Sequence, residues 1–209
     1  MKTRFTLTSL ALASLMMMGN AAMAAVVPSN TDAYLNVKLK LTGSCEVFTA
    51  QSGKSSAISA ENDATAGADI DFGPHIAKSS SEELSQGNVG QATSTIQVNC
   101  SRNTEFQVAL EPSNTNAEGT GSMSGLKATN QDKIAYQLYK PTVSDSGDET
   151  ISNTISANKW GKGSNALTLT GKGLSTPIML PVFAKVPQNE LSDKTPDTYQ
   201  DRVKVTLTY

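Results

Sequence analysis

Residues 202–209 read RVKVTLTY, and in this stretch an apolar or aromatic side chain stands at every second position. Such alternation is typical of a β-strand that buries one face, because successive side chains point to opposite sides of a strand. No window of the chain has a sustained helical period, whereas seven further short segments alternate in the same way. These segments are 35–41, 68–72, 95–100, 106–110, 133–139, 166–170 and 177–186. Eight short strands separated by polar turns that contain Gly or Pro predict an all-β sandwich.

Both ends of the chain are unusual for a self-contained sandwich of this kind. At the N-terminal side, residues 25–33 form a polar lead-in ahead of the strongly alternating segment 35–41. The alternating strand at the C-terminal end leaves Val203, Val205, Leu207 and Tyr209 without a following segment that could pair beside them. An unprotected strand edge can pair with another chain, and donation of a strand by a neighbouring subunit is one known solution. The connections 49–67, 114–129 and 142–164 are long and rich in Ser, Asn, Gly and Ala, so we expect mobile surface loops there.

The first residues carry the pattern of an export signal. A basic start (MKTR) precedes an apolar stretch over residues 5–18, and residues 22–24 (Ala-Met-Ala) have the small-x-small pattern of a signal peptidase site. The apolar stretch is shorter than the roughly 20 residues that a membrane-spanning helix needs. We therefore expect residues 1–24 to be a signal peptide, cleavage to fall between Ala24 and Ala25, and the protein to be exported and soluble.

The chain has two cysteines, Cys45 and Cys100. An exported protein meets an oxidising environment, which favours joining them. Cys45 has the same parity as the apolar residues of 35–41, and Cys100 has the same parity as Ile96 and Val98. Each cysteine is therefore expected on the apolar face of its strand. We predict a disulfide between Cys45 and Cys100, with two free thiols as the alternative.

The composition gives little support for a catalyst or for a nucleic-acid partner. The chain has 17 Lys and Arg against 19 Asp and Glu, so no charge excess attracts nucleic acid or an anionic membrane. His75 is the only histidine. Together with two cysteines it cannot supply the usual ligands of a structural zinc site. We expect no enzyme activity, no cofactor and no metal.

Three motifs that resemble fragments of catalytic or metal-binding sites are better interpreted as turns. Residues 71–73 (Asp-Phe-Gly) match a kinase triplet and residues 161–164 (Gly-Lys-Gly-Ser) match the tail of a phosphate-binding loop, but the rest of both motifs is missing. Asp145, Asp148 and Glu149 lie in one connection without the spacing of a calcium-binding loop, so solvated carboxylates are expected there.

Seven short motifs follow one another in a fixed order along the chain. They are Cys45, Asp71-Phe72-Gly73, Val98-Asn99-Cys100, Tyr136-Gln137-Leu138-Tyr139, Trp160-Gly161-Lys162-Gly163, Leu180-Pro181-Val182-Phe183 and Asp197-Thr198-Tyr199-Gln200-Asp201. The last motif is the most specific, because it places Tyr-x-Asp directly before an alternating terminal strand. In this order, over residues 35–209, the chain resembles the spore coat protein U domain family, which includes the pilins of archaic chaperone–usher pili.

The resemblance implies an immunoglobulin-like sandwich that is incomplete because it lacks its last strand. In such pilins a periplasmic chaperone fills the gap for a time, and an outer-membrane usher then exchanges it for the N-terminal strand of the next subunit. The implied function is a structural subunit of a surface pilus that supports adhesion and biofilm formation. A secreted coat protein of the same fold and a monomeric secreted binding domain are the alternatives.

For the donor strand we favour residues 34–41. The inserted side chains are then Leu35, Val37, Leu39 and Leu41, within a donor segment 25–42 that precedes a sandwich domain over 43–209. The alternative is that this stretch is the first strand of the subunit itself and that residues 26–33 donate. The receiving edge is expected at Val203, Val205, Leu207 and Tyr209.

Overall fold

The computed structural model describes residues 34–48, 69–88, 95–144 and 149–209. Within these ranges the chain has twelve β-strands, one 3₁₀ turn at Gly163–Asn165 and no α-helix. No helix in the same ranges could therefore cross a membrane. The chain divides into two units, Met1–Lys40 and Leu41–Tyr209, and the second unit contains all of these strands.

The twelve strands are short except for two in the middle of the chain. They are β1 Cys45–Phe48, β2 Leu84–Gly87, β3 Ile96–Cys100, β4 Glu105–Glu111, β5 Thr120–Gly125, β6 Lys133–Ser144, β7 Thr150–Lys159, β8 Leu167–Thr170, β9 Ile178–Leu180, β10 Phe183–Val186, β11 Tyr199–Gln200 and β12 Lys204–Thr208.

The strands form three sheets in which neighbours run antiparallel. The first sheet has the order β1–β3–β9, and the second has the order β11–β5–β6–β10–β2 with β7 also paired to β6. The third sheet has the order β12–β4–β8. The fold is an all-β, immunoglobulin-like sandwich, as the alternating pattern and the resemblance predicted.

One hydrophobic core lies between the inward faces of these sheets. Its members stand at alternate positions of each strand, as expected when one face of a strand is buried. The core strands contribute Ile96, Val98 and Cys100 from β3, Phe106, Val108 and Leu110 from β4, Ile134, Tyr136 and Leu138 from β6, Leu167 and Leu169 from β8, and Ile178 and Leu180 from β9. Cys45 is joined to Cys100 by a disulfide inside this core, directly across the β1–β3 pairing, which confirms the predicted bridge.

Trp160 connects two of the sheets at the centre of the core. Its side chain is fully buried, and its indole Nε1–H donates to the carbonyl of Val108 on β4 at 2.9 Å. Its backbone N–H donates to the carbonyl of Leu138 on β6, also at 2.9 Å. A buried indole needs such a partner for its N–H. The residue after β7 thus links the second sheet to the third.

Most of the strands predicted from alternation are present, and two are not. Segments 95–100, 106–110, 133–139, 166–170 and 203–209 correspond to β3, β4, β6, β8 and β12. Segment 177–186 was predicted as one strand, but it forms β9 and β10, which lie in different sheets on either side of Pro181. The prediction of strands at 35–41 and 68–72 was wrong for the residues described there, which form no ladder.

Two of the three predicted loops contain strands. The connection 114–129 includes β5, and the connection 142–164 includes the end of β6 and all of β7. Both strands are polar and lack an alternating apolar face, so their pairing to β6 is decided by the neighbouring strand rather than by their own pattern. The third predicted loop, 49–67, lies outside the described residues, as do the proposed signal peptide, Ala24, Ala25 and the alternative donor 26–33.

Candidate functional site

The strand β12 presents a half-covered apolar face. Val203, Val205 and Leu207 are half-buried and pack against the core, whereas the residues between them are exposed. Tyr209, just beyond the strand, is 62% exposed. A core strand of the same alternating type, such as β4, buries its apolar residues almost fully. The inward side chains of β12 therefore lie at the margin of the core, where further apolar groups could cover them.

The outer edge of β12 has no ladder with another strand in the described part of the chain. β12 pairs with β4 over five consecutive residues, and no other strand pairs with it in the part of the chain that the structure describes. Leu110 lies opposite Val205 in this ladder, yet it donates its N–H to the carbonyl of Gly161 at 3.0 Å, away from β12. In an antiparallel pair such a position is not hydrogen-bonded. Val205 and Leu207 therefore direct their N–H and C=O groups to the outer edge.

The strand β1 lies next to this edge without a ladder between them. β1 approaches β12 but pairs only with β3 among the described strands. Val47 of β1 is half-buried and packs against the core, like the inward residues of β12. The two strands therefore border one apolar margin of the sandwich, and the disulfide at Cys45 fixes the first residue of β1 to β3.

Residues 34–41 carry the most exposed apolar side chains of the described chain. Leu35, Val37, Leu39 and Leu41 are 87%, 89%, 90% and 90% exposed. These residues form no strand, since an isolated extended segment has no partner for its backbone groups. Exposed apolar side chains in a row of this kind mark an interaction site rather than an ordinary surface. Their assignment as the donor remains a prediction.

The segment before β12 is held by a group of polar side chains. The Tyr136 hydroxyl donates to the Asp201 carboxylate at 2.6 Å, and Asn130 Nδ2 donates to the Asp197 carboxylate at 2.8 Å. Burial, reinforced by the hydrogen bond to Asp201 and by its charge, raises the pKa of Tyr136 above its ordinary value. The hydrogen bond from Asn130 lowers the pKa of Asp197.

Sequence reasoning placed Tyr136, Asp197 and Asp201 in family motifs without assigning them a contact. Only the Tyr-x-Asp spacing before the terminal strand pointed to this part of the chain. The partner of Asp201 lies 65 residues away on β6, and a local motif cannot reveal such a pairing.

The remaining predicted motifs lie in turns of the described chain. The Gly73 N–H donates to the Asp71 carboxylate at 2.8 Å, and Gly73 has a φ of 73°, which favours glycine. The exposed His75 bonds through Nε2 to the carbonyl of Phe72 at 2.8 Å. Residues 161–164 lead into the 3₁₀ turn, as a turn was expected there.

The acidic residues singled out in the sequence do not form a cluster in the described residues. No group of three His, Cys, Asp or Glu side chains comes together in them. Glu149 instead accepts a hydrogen bond from the N–H of Thr170 at 2.8 Å, while Asp145 and Asp148 lie outside the described residues. An open groove of about 430 Å³ between β2, β7 and β10 has no titratable side chain in its lining.

The described residues define an all-β sandwich with an edge strand, β12, whose apolar face is only half covered, and a family model matches the sequence. The model of the Spore Coat Protein U domain matches residues 31–206, which is most of the chain. The chain therefore belongs to the spore coat protein U domain family, as the motifs had indicated.

The comparison with solved structures gives matches to chains of known structure. The chain is similar to the pre-assembly complex of the chaperone CsuC with the tip adhesion subunit CsuE, from the archaic chaperone–usher Csu pili of Acinetobacter baumannii. The TM-score is 0.41 and the sequence identity is 17%, and the match covers 81% of this chain and 40% of that chain. The comparison with curated proteins gave no match.

Proposed function

We propose that the protein is a structural subunit of a chaperone–usher surface pilus, which polymerises by donor-strand exchange. The subunit is exported through the periplasm after its signal peptide, residues 1–24, is removed between Ala24 and Ala25. Its partners are a periplasmic chaperone, an outer-membrane usher and further pilin subunits, either copies of itself or related chains. The resulting fibre supports adhesion of the cell to surfaces and biofilm formation. Membership of the spore coat protein U domain family supports this proposal.

The observation that carries the proposal is that each chain has both a segment suited to donation and a strand edge suited to receive such a segment from another subunit. Residues 34–41 supply an alternating row of four exposed apolar side chains, and β12 supplies a regular edge with unpaired N–H and C=O groups. A donated strand that lies along β12 hydrogen-bonds with Val205 and Leu207 and places its apolar row on the half-buried face below. This is β-strand addition, in which backbone bonds give affinity and side-chain pockets give specificity.

Burial of the apolar row provides the driving force for polymerisation. Each of Leu35, Val37, Leu39 and Leu41 is at least 87% exposed in the described chain. Moving one such side chain fully out of water is worth roughly 1.5–3 kcal/mol. The polar residues Asn36, Lys38 and Lys40 alternate with this row and face outward when the row faces the core.

The first prediction is that Leu39→Arg abolishes polymers. The substitution places a charge in the middle of the inserted row, where it would be buried without a partner. The subunit itself is expected to fold normally and to be recovered in complex with its chaperone, because Leu39 is 90% exposed in the subunit. The measurement is gel electrophoresis of protein sheared from cells, with and without boiling in detergent, which separates strand-exchanged polymers from monomers.

Asn36→Arg is the matched control, because it adds the same charge to the outward face of the same segment. It should leave the ladder of multiples intact and still sensitive to boiling. Normal polymers from Leu39→Arg would show that residues 34–41 are not the donor. A single monomer band from the unmodified protein, in both lanes, would instead remove the pilus function and leave a monomeric secreted binding domain.

A further inference from the structure

We infer that Tyr136 and Asp201 form a clamp that holds β12 ready to accept a donor strand. The inference rests on the proposed function and deepens it, because it names residues that position β12 for strand uptake without touching the donor strand themselves. The clamp joins the fourth residue of β6 to the segment that leads into β12, which begins at Lys204.

The clamp is a short hydrogen bond made by a buried phenol. Tyr136 is 5% exposed, and its hydroxyl reaches the Asp201 carboxylate at 2.6 Å. Hydrogen bonds to an ionised acceptor are shorter and about twice as strong as those between neutral groups. The raised pKa of Tyr136 means that the phenol keeps its proton and remains the donor.

The neighbouring strand leaves space for this contact. Gly121 of β5 lies directly across from Tyr136, and a Cβ at this position would overlap Tyr136 Cζ and the hydroxyl oxygen. Any side chain at position 121 would therefore displace the ring from its path to Asp201. The absence of a side chain at Gly121 therefore makes room for the clamp.

β12 needs such a tether because one of its edges is unpaired. Among the described strands, only β4 pairs with β12. A strand with a ladder on one side and a half-covered face is prone to local opening. Asn130 and Asp197 fix the chain a few residues earlier, and the clamp at Asp201 anchors it to the second sheet again, three residues before β12 begins. A donor strand supplies a second ladder, after which the clamp becomes redundant.

The test uses Tyr136→Phe, which removes the hydroxyl and keeps the ring. Both the reference and the variant carry Leu39→Arg in the full chain, so that an added peptide with the sequence of residues 34–41 is the only competent donor. The affinity of the labelled peptide is measured by fluorescence anisotropy, and the melting temperature is measured with and without saturating peptide. Tyr139→Phe is the matched control, since Tyr139 lies on the same strand and its ring faces Lys185 on the opposite face.

The expected result is that Tyr136→Phe weakens peptide binding about tenfold, because roughly one molecule in ten then has β12 in the competent arrangement. The melting temperature should fall for the empty subunit and change much less for the filled one. Tyr139→Phe should bind the peptide like the reference. Asp201→Asn keeps an acceptor for the phenol and should recover most of the affinity that an Asp201→Ala change loses.

Unchanged affinity in Tyr136→Phe, or equal losses of melting temperature in the empty and filled forms, would overturn the clamp and leave Tyr136 with a purely structural role. In both cases the proposed function stands, because the reference protein still binds the peptide. If the reference protein does not bind the peptide at all, the donor assignment fails and the clamp fails with it.

Discussion

Two edge strands of this sandwich, β7 and β12, differ in almost every property that governs pairing with another chain. β7 pairs with β6 through a register that shifts twice, on either side of Pro141. β12 pairs with β4 through five consecutive residues without a shift. Bulges twist an edge away from a potential partner, and a regular edge offers an uninterrupted template. The comparison indicates that the molecule protects one edge and keeps the other available.

The side chains of β7 and β12 differ as clearly as their backbone pairing does. β7 reads TISNTISANK, and its two isoleucines are separated by three polar residues, so that it has no continuous apolar face. β12 reads KVTLT and alternates without a break. A donated strand could make backbone bonds with either edge, but only at β12 could it bury a row of apolar side chains. Specificity for the site therefore comes from the face below the edge as well as from the edge itself.

The third sheet has a second edge, at β8, and a side chain occupies it. Thr170 of β8 directs its N–H away from β4, because the next residue, Gly171, donates to Thr104 on that side. The Glu149 carboxylate accepts this outward N–H at 2.8 Å. A charged side chain on an edge is a recognised protection against unwanted pairing. Thus β4 lies between one edge that is capped and one that is open.

Hydrogen exchange gives the largest expected difference between β12 and β7. In the Leu39→Arg subunit, the amides of Val205 and Leu207 should exchange rapidly, since they face the outer edge. Addition of the 34–41 peptide should slow them by a factor of about 100 or more, which corresponds to roughly 3 kcal/mol of protection against local opening. The amides of β7 should not change. The measurement is exchange followed by mass spectrometry or NMR, and protection that appeared in β7 instead would reverse the comparison.

Removal of the disulfide lowers the stability of the whole domain, and within the comparison it acts on the β12 side. The bridge joins residues 55 positions apart in sequence and anchors β1, which borders β12. In the chain-entropy model, loss of a bridge of this span costs roughly 4 kcal/mol of unfolding free energy. A Cys45→Ala/Cys100→Ala variant should show this loss in denaturant unfolding.

The same variant should also bind the donor peptide more weakly. The hydrogen-exchange rates of the β7 amides, compared with those of the rest of the second sheet, should stay unchanged. Reduction of the disulfide in the unmodified protein should lower the unfolding free energy by a similar amount. The same protein in its oxidised form is the control. Unfolding at the same denaturant concentration with and without the bridge would mean that β1 does not depend on it for its position.

The sequence predicted those parts of the fold in which one strand face meets the core. β3, β4, β8 and β12 all alternate apolar and polar residues, and each was expected within one or two residues of its observed bounds. The disulfide was predicted from the expected export of the protein and from the position of each cysteine relative to the apolar residues of its strand, because alternate residues of a strand share a face. The fold class followed from the number and the spacing of such segments.

The missed elements depend on partners distant in sequence. β5 contains two glycines and two serines, so its own residues do not predict a strand. It forms one because β6 pairs with it, and Gly121 leaves the space that the Tyr136 ring occupies. Segment 35–41 has a strong strand pattern and forms no strand, since pairing requires a second strand. At the candidate site, the apolar rows were visible in the sequence. The contact of Tyr136 with Asp201 was not, because the two residues lie 65 positions apart.

The smallest effect is expected at the ion pair that β7 makes with the segment before β5. Lys159 Nζ lies 2.6 Å from the Glu118 carboxylate, and both side chains are about half exposed. The hydrogen bond lowers the pKa of Glu118 and raises that of Lys159. The pair therefore stabilises the fold above the ordinary carboxylate pKa of about 4.3 and below the ordinary lysine pKa of about 10.4. Its contribution is lost as the pH falls through the lowered pKa of Glu118, or rises through the raised pKa of Lys159.

Glu118→Gln should shift the melting temperature at pH 7 by less than about 1 °C, because exposed pairs are screened by water and salt. Donor-peptide binding should not change, in contrast to Tyr136→Phe, which removes a hydrogen bond of equal length from a buried position. Melting curves at pH 7 and at pH 3, where the contribution of the pair is reduced because pH 3 lies below the ordinary carboxylate pKa, separate this small effect from a general loss of structure. If Glu118→Gln weakened peptide binding as much as Tyr136→Phe does, β7 would be as closely coupled to strand uptake as β12, and the distinction between the two edges would fail.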